Sequence, residues 1–280
     1  ISPLNPGHVF HLPLAVNTKQ KQRQILSASA AMRKKFTSDV SFVGSLYTEK
    51  CPYDKLSNPP DYLLGYLNGL MEAQIRIYGG FIIEELLTDE MVEEFKAHLP
   101  GFFTYPSSSY LTDRKTMAQL YIGNKISAME RLRVMKLLSE RFSVDLYTAS
   151  DTSSLPRIHN RGLAKTLEEM PIIFHNSKIN LNITSKSIRS GIPLRIFDIL
   201  GCGGFALTNF QPELPQFFRP GEDLVYYENL DDLAAKTDYF LRHESERKEI
   251  AHEGFETVKK HHTYPIRLEQ MMGIAFSNNI

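Results

Sequence analysis

The sequence lacks any long apolar run. Nothing in it approaches the roughly 20 consecutive apolar residues that a membrane helix needs, so no membrane span is expected. It has only two cysteines, Cys51 and Cys202, too few for a disulfide framework. Nothing therefore argues for an oxidising compartment, and no secretory signal is visible, so a cytoplasmic protein is expected. It also lacks an excess of charge. With 32 Lys and Arg against 32 Asp and Glu, the formal net charge is zero. No overall field recruits nucleic acid or an anionic membrane, and any anion site must be local. Common chemical signatures are missing as well. There is no G-x-x-x-x-G-K-[ST] loop, G-x-S-x-G elbow or H-E-x-x-H pair. No D-x-D pair supplies a carboxylate clamp for a metal-bound diphosphate, and neither a metal site nor a cofactor is expected.

What is present suits a soluble globular chain. Hydrophobic residues make up 42% of 280, enough for a sizeable core in one large or two ordinary domains. The chain begins at Ile1, not Met, and reads as a piece of a longer protein. "GHVFHLPLAVN" (7–17) predicts a strand, and "TKQKQRQ" (18–24) a linker or surface helix. "DVSFVG" (39–44) predicts a buried parallel strand. About 52–118 reads as a helical insertion, with helix-period apolar positions over 61–98 and a loop over 99–110. A regular alternation follows. "QLYIGNKISAMERLRVMKLLSERF" is amphipathic, with Ile126, Met129, Leu132 and Met135 on one stripe. "SVDLYT", "KINLNIT", "GGFALTNF" and "DLVYYEN" predict strands, with helices between or beyond them. Asn229 is placed to cap the next helix, and Pro265 to restart the last one. Strands separated by helices give βαβ units, and hence an α/β, Rossmann-like, doubly wound parallel sheet.

One stretch concentrates cations where they are poorly placed. In "SGIPLRIFDILGCGGFALTNF" (190–210), Pro193 marks the first turn of a helix with Ile192 as its cap. Arg195 falls in that turn, and Lys186 and Arg189 stand just before it, beside a helix end that is already partly positive. Free amides at Leu194 and Arg195, with Arg195 and Arg189 as bidentate donors, would suit a phosphate or diphosphate. The alternative is that Arg195 reaches solvent or pairs with Asp198, worth a few tenths of a kcal/mol. Asp198 could accept two hydrogen bonds from a ribose diol, or merely neutralise Arg195. Gly44 and Ser45, after the strand "DVSFVG", occupy the same sheet edge. Gly44 would permit close backbone approach and Ser45 a phosphate hydrogen bond, unless Gly44 simply permits a tight turn. The G-x-G-x-x-A pattern at Gly201, Gly203 and Ala206 opens a strand and not a helix, so it is not read as a dinucleotide site. Its glycines are better placed to close the helix. Adjacent His261 and His262 are expected on the solvated surface.

"IRSGIPLRIFDILGCGGFALTN", preceded by "KINLNIT" and followed by "FRPGEDLVYYENLDDL", resembles the C-terminal half of GT-B glycosyltransferases. Among them it resembles the bacterial spore-maturation (CgeB-like) family, over about 165–263. The resemblance implies two facing Rossmann-like domains, with a nucleoside-diphosphate sugar held by the C-terminal one. It implies no metal, the leaving diphosphate being met by cations and a helix N-terminus. Related retaining enzymes carry two acidic residues with seven between them. Asp198 takes the second place, and Ser190, not acidic, takes the first, so sugar contacts are expected from backbone amides over Ser190, Gly191 and Ile192. The resemblance divides the chain into 1–36, a remnant of the N-terminal domain and linker, 37–264, the nucleotide-sugar-binding domain, and 265–280, a C-terminal helix. The missing N-terminal domain, which would hold an unknown glycan, protein or small-molecule acceptor and any acceptor-side base, is expected to pack on this chain. Two other functions remain open: a non-catalytic nucleotide-sugar-binding module in surface or spore-coat assembly, and an epimerase using His159 or His175.

Overall fold

The computed structural model describes residues 9–106 and 110–277. The ends of the expected strand over 7–17, the loop over 99–110 and the C-terminal helix over 265–280 include residues outside that range. The chain opens with two helices, α1 (Thr18–Ser27) and α2 (Ala30–Lys35), capped by the side chains of Asn17 and Ser29. Strand β1 (Ser38–Val43) follows. A helical insertion then holds α3 (Asp61–Arg76), α4 (Ile83–Leu86), α5 (Asp89–Ala97) and α6 (Asp113–Thr116). It runs through a π-helical turn, Met117–Ile122, into α7 (Gly123–Arg141). Next come β2 (Val144–Tyr147), β3 (His159–Asn160), α8 (Met170–Asn176) and β4 (Ser177–Asn182). Helix α9 (Leu194–Gly201), β5 (Ala206–Asn209), α10 (Leu214–Phe217) and β6 (Val225–Tyr227) continue the alternation. Helices α11 (Leu230–Arg242), α12 (Glu244–His261) and α13 (Tyr264–Ser277) complete it.

The strands form one sheet in the order β3-β2-β1-β4-β5-β6, every neighbouring pair parallel. Val40 of β1 is in register with Val144 on one side and Ile179 on the other. This is the doubly wound α/β arrangement that the strand and helix patterns predict. Alternation along β1 sends Val40 and Phe42 to a core shared with α7 and α11, and Val43 to one shared with α8 and α9. A third cluster, including Leu63, Leu67, Met71, Ile83 and Phe95, belongs to the insertion. Among the described residues no helix is long and apolar enough to cross a membrane.

Several local expectations need correction. Residues 9–15 form no strand, and Val16 makes only an isolated bridge to Thr263, because its backbone partner is the turn between α12 and α13 and not a strand. The stripe on α7 is only half right. Ile126 and Met135 are buried and Met129 and Leu132 partly so, because the helix lies between the sheet and the insertion and also buries Glu130, Arg131 and Val134. Pro193, not Ile192, is the cap of α9, its ψ of 145° standing outside the helix. Ile192 instead joins the apolar core. His262 is buried, not solvated, among the rings of Phe197, Phe217 and Phe218. Gly203, at φ +70°, takes the left-handed position just beyond α9, where only glycine is free of strain.

Candidate functional site

In a doubly wound sheet, ligands lie beyond the carboxyl ends of the strands where the strand order reverses. Here the reversal falls between β1 and β4. Arg131 of α7 clips the two strand ends together from behind. Its Nη1 donates to the Ser45 carbonyl and its Nη2 to the Ile183 carbonyl, each at 2.6 Å, with the guanidinium 4.5 Å from the centre of the Tyr47 ring. Buried charge-assisted bonds of this kind fix loop geometry more firmly than neutral ones. In front of β4 and β5 opens a cavity of about 100 Å³. Thr184, Ser185, Lys186 and Arg189 line it after β4, Asn209 at the end of β5 and Phe210 to Pro212 beyond it, and Tyr78 to Phe81 of the insertion roof it.

The floor of this cleft is charged. Lys186 is buried and pairs at 3.4 Å with Glu130 of α7, which is 1% exposed. Burial pushes the Glu130 carboxyl above its ordinary range and the Lys186 ammonium below its own, while each partner's charge opposes the shift. Neither Glu130 oxygen makes a hydrogen bond among the described residues. Lys186 Nζ donates to the Ile77 carbonyl at 2.9 Å and lies 3.4 Å from the centre of the Tyr78 ring. Around it, Ser127 and Ser185 share a hydroxyl bond at 2.7 Å, and the Asn209 side chain holds Thr184 at both its N–H and its carbonyl. The cleft thus gathers hydroxyls, amides and two cations, Lys186 on its floor and Arg189, chemistry suited to an anionic, hydroxylated ligand.

The structure brings some of the sequence-predicted residues to this cleft and not others. Arg189 lines it, its Nη2 donating to Glu84 at 3.1 Å. Ser190 is exposed beside it, and Gly191, at φ +87°, donates its amide to Glu213 Oε2 at 2.9 Å. Gly44 and Ser45 follow β1, but the Ser45 hydroxyl is committed to Glu49 at 2.6 Å and to the Tyr47 amide. Ile192 faces the core.

Arg195 and Asp198 do not join the cleft. Arg195 turns between α8 and α9, its Nη1 3.2 Å from the Met170 sulfur and its guanidinium 5.4 Å from the Phe174 ring centre. Asp198 pairs with Lys21 of α1 at 3.0 Å, both nearly buried, and only distantly with Arg195 at 3.9 Å. Both side chains face the layer of α1 and α8, where Lys21 holds the Asp198 carboxylate and the Met170 sulfur and Phe174 ring meet the Arg195 guanidinium. His159 faces Asp145 at 3.3 Å, and His175 donates from Nδ1 to the Cys202 carbonyl at 3.0 Å, so neither lines the cleft. Sequence reasoning passed over Lys186 as a site residue. Its signal was a lysine two residues beyond the strand "KINLNIT", at the sheet's carboxyl edge.

Against known proteins, the sequence profile of the glycosyl transferase-like family matches residues 129–273, more than half of the chain. The chain therefore belongs to the glycosyl transferase-like family. No curated protein matches it in sequence. Solved structures to which it is similar include TarM, at 12% identity and a TM-score of 0.42, covering 51% of this chain and 31% of that one. Sucrose-phosphate synthase from Thermosynechococcus elongatus is 12% identical, with a TM-score of 0.49, covering 95% of this chain and 51% of its own. A glycosyltransferase from Rickettsia africae ESF-5 is 15% identical, with a TM-score of 0.42, covering 98% and 86%. The chain thus spans about a third of TarM.

Proposed function

We propose that this chain is the donor-binding half of a metal-independent glycosyltransferase that takes its sugar from a nucleoside diphosphate. The observation that carries the reading is the cleft at the carboxyl ends of β4 and β5, where Lys186 and Arg189 meet hydroxyl and amide donors in a glycosyl transferase-like chain. Cations fixed beside a departing diphosphate stabilise charge that grows in the transition state, which is the task a metal performs elsewhere. The donor's phosphates face Arg189 and Lys186, and its sugar the backbone from Ser190 to Gly191. The acceptor belongs to the part of the enzyme outside this chain. The CgeB-like resemblance over 165–263 makes a hexosyl transfer in a bacterial cytoplasm the finer form of the same reading.

Calorimetric titration with UDP, GDP and dTDP, in the presence of EDTA, tests it. One nucleotide should bind, and Arg189→Ala should cost roughly 1.5–3 kcal/mol of affinity, the worth of a charged hydrogen bond. Arg195→Ala should leave that affinity unchanged. Binding that ignores Arg189 but collapses with Arg195 would move the diphosphate out of this cleft.

A further inference from the structure

Three anion donors of the cleft, Lys186, Arg189 and the Gly191 amide, are already held by groups of the protein itself. Lys186 donates to the Ile77 carbonyl and rests on the Tyr78 ring. Arg189 donates to the Glu84 carboxylate. The Gly191 amide donates to the Glu213 carboxylate. These partners are oxygens carrying full or partial negative charge, as the oxygens of a diphosphate do. One partner of each cation comes from a single stretch, residues 77–84, which runs from the end of α3 into the first turn of α4, while Lys186 also pairs with Glu130 of α7.

That stretch is built to lie where it does. Gly79, at φ +80°, comes so close to β5's trailing loop that a Cβ there would stand 2.8 Å from the Phe210 ring. Gln74, fully buried at the end of α3, shapes the turn by donating to the Gly80 carbonyl at 2.8 Å and accepting from the Ile82 amide at 2.7 Å. The Ile77 carbonyl that meets Lys186 is thus a backbone group of this shaped turn, and the Glu84 carboxylate that meets Arg189 follows it in the first turn of α4.

We propose that residues 77–84 form a strap that competes with the donor diphosphate for Lys186 and Arg189, so that donor binding and release of the strap are one equilibrium. The inference rests on the donor-site reading above and adds a coupling to it. Any change that weakens the strap's hold must tighten anion binding, and a bound anion must free the strap, because the two share the same cations. The insertion thereby gains a role: it sets how much donor affinity is spent on opening the cleft.

Inorganic pyrophosphate, which needs no base-specific contact, is the probe. It is titrated calorimetrically into the 280-residue chain and into its Glu84→Gln, Gly79→Ala and Arg189→Gln variants, with hydrogen exchange followed over residues 77–84. Glu84→Gln and Gly79→Ala should each bind about two- to fivefold tighter, the scale of a half-exposed ion pair removed from competition. Saturating pyrophosphate should speed exchange across 77–84 in the unmodified chain, and Arg189→Gln should bind more weakly. If Arg189→Gln loses affinity while Glu84→Gln and Gly79→Ala bind no tighter and exchange does not change, the strap is a fixed roof. The competition is then refuted and the donor site stands. If no variant binds, or Arg189→Gln binds like the unmodified chain, both readings fall together.

Discussion

His262 shows what a single buried ring does to the pH response of this fold. Its imidazole is 5% exposed and receives a hydrogen bond from Arg267 Nη2 at 2.9 Å on Nδ1, so the charged form loses water and faces a like charge. Burial first, and the guanidinium second, push its pKa down to about 4. An unfolded histidine titrates near 6.5, so below that value the unfolded chain binds a proton that the folded chain refuses. The stabilisation is full above pH 6.5, shrinks as the pH falls toward 4 and is lost below it. Urea denaturation at two pH values should therefore show about 2 kcal/mol less stability at pH 5 than at pH 7 from this ring alone. His262→Gln should remove most of that difference, and an unchanged pH slope would assign it elsewhere. Nothing in "KKHHTY" distinguishes His262 from its exposed neighbour, since the rings that bury it come from α9 and the loop around α10. The same limit applies to Arg195 and Asp198. Charge crowding beside Pro193 was legible, but the direction of each side chain depends on α1 and α8, which lie far off in sequence.

At the scale of elements, glycines in helices separate intrinsic propensity from packing. Gly65 in α3 has nothing within 4 Å of an added Cβ. Gly254 in α12 sits against the loop before β6, where a Cβ would lie 2.2 Å from the Asp223 carbonyl and 2.9 Å from Leu200. Gly65→Ala should stabilise the chain by about 0.5–1 kcal/mol, the ordinary helix gain. Gly254→Ala gains the same propensity but must push α12 off the backbone of Asp223, whose carboxylate is held by Arg219 and Thr257. A net loss of about 2 kcal/mol or more is expected in thermal or urea unfolding, since overpacking against backbone finds no flexible atom to yield. Equal effects at the two sites would deny the close approach of α12. Elements with strong local patterns were legible: β1, β2, β4, β5 and β6 carry apolar runs, and Asn229 caps α11 with its own side chain. Strand β3 was not, because its two residues, His159 and Asn160, are exposed and owe their pairing to β2.

For the molecule as a whole, the balance of charge and the placement of the insertion decide how an anion reaches the cleft. Doubly wound topology followed from the alternation of strands and helices, a local property. The roof over the cleft did not, because no composition rule says where residues 77–84 come to rest once α3 has packed on α7. With 32 charges of each sign, no long-range field steers anions toward the protein. Within the cleft, attraction comes from two cations whose charge is offset nearby by Glu130 and Glu84. At about 0.15 M salt, fields from such compensated pairs fade within roughly 8 Å. The chain should therefore run through heparin and stay in the supernatant with anionic vesicles, yet bind pyrophosphate under the same conditions. Affinity measured at low and high salt should fall only modestly, because the contacts are few and partly buried. Retention on heparin at that salt would reveal a cationic face broader than Lys186 and Arg189 provide, and would open the surface to a polyanion that the cleft alone has no room to hold.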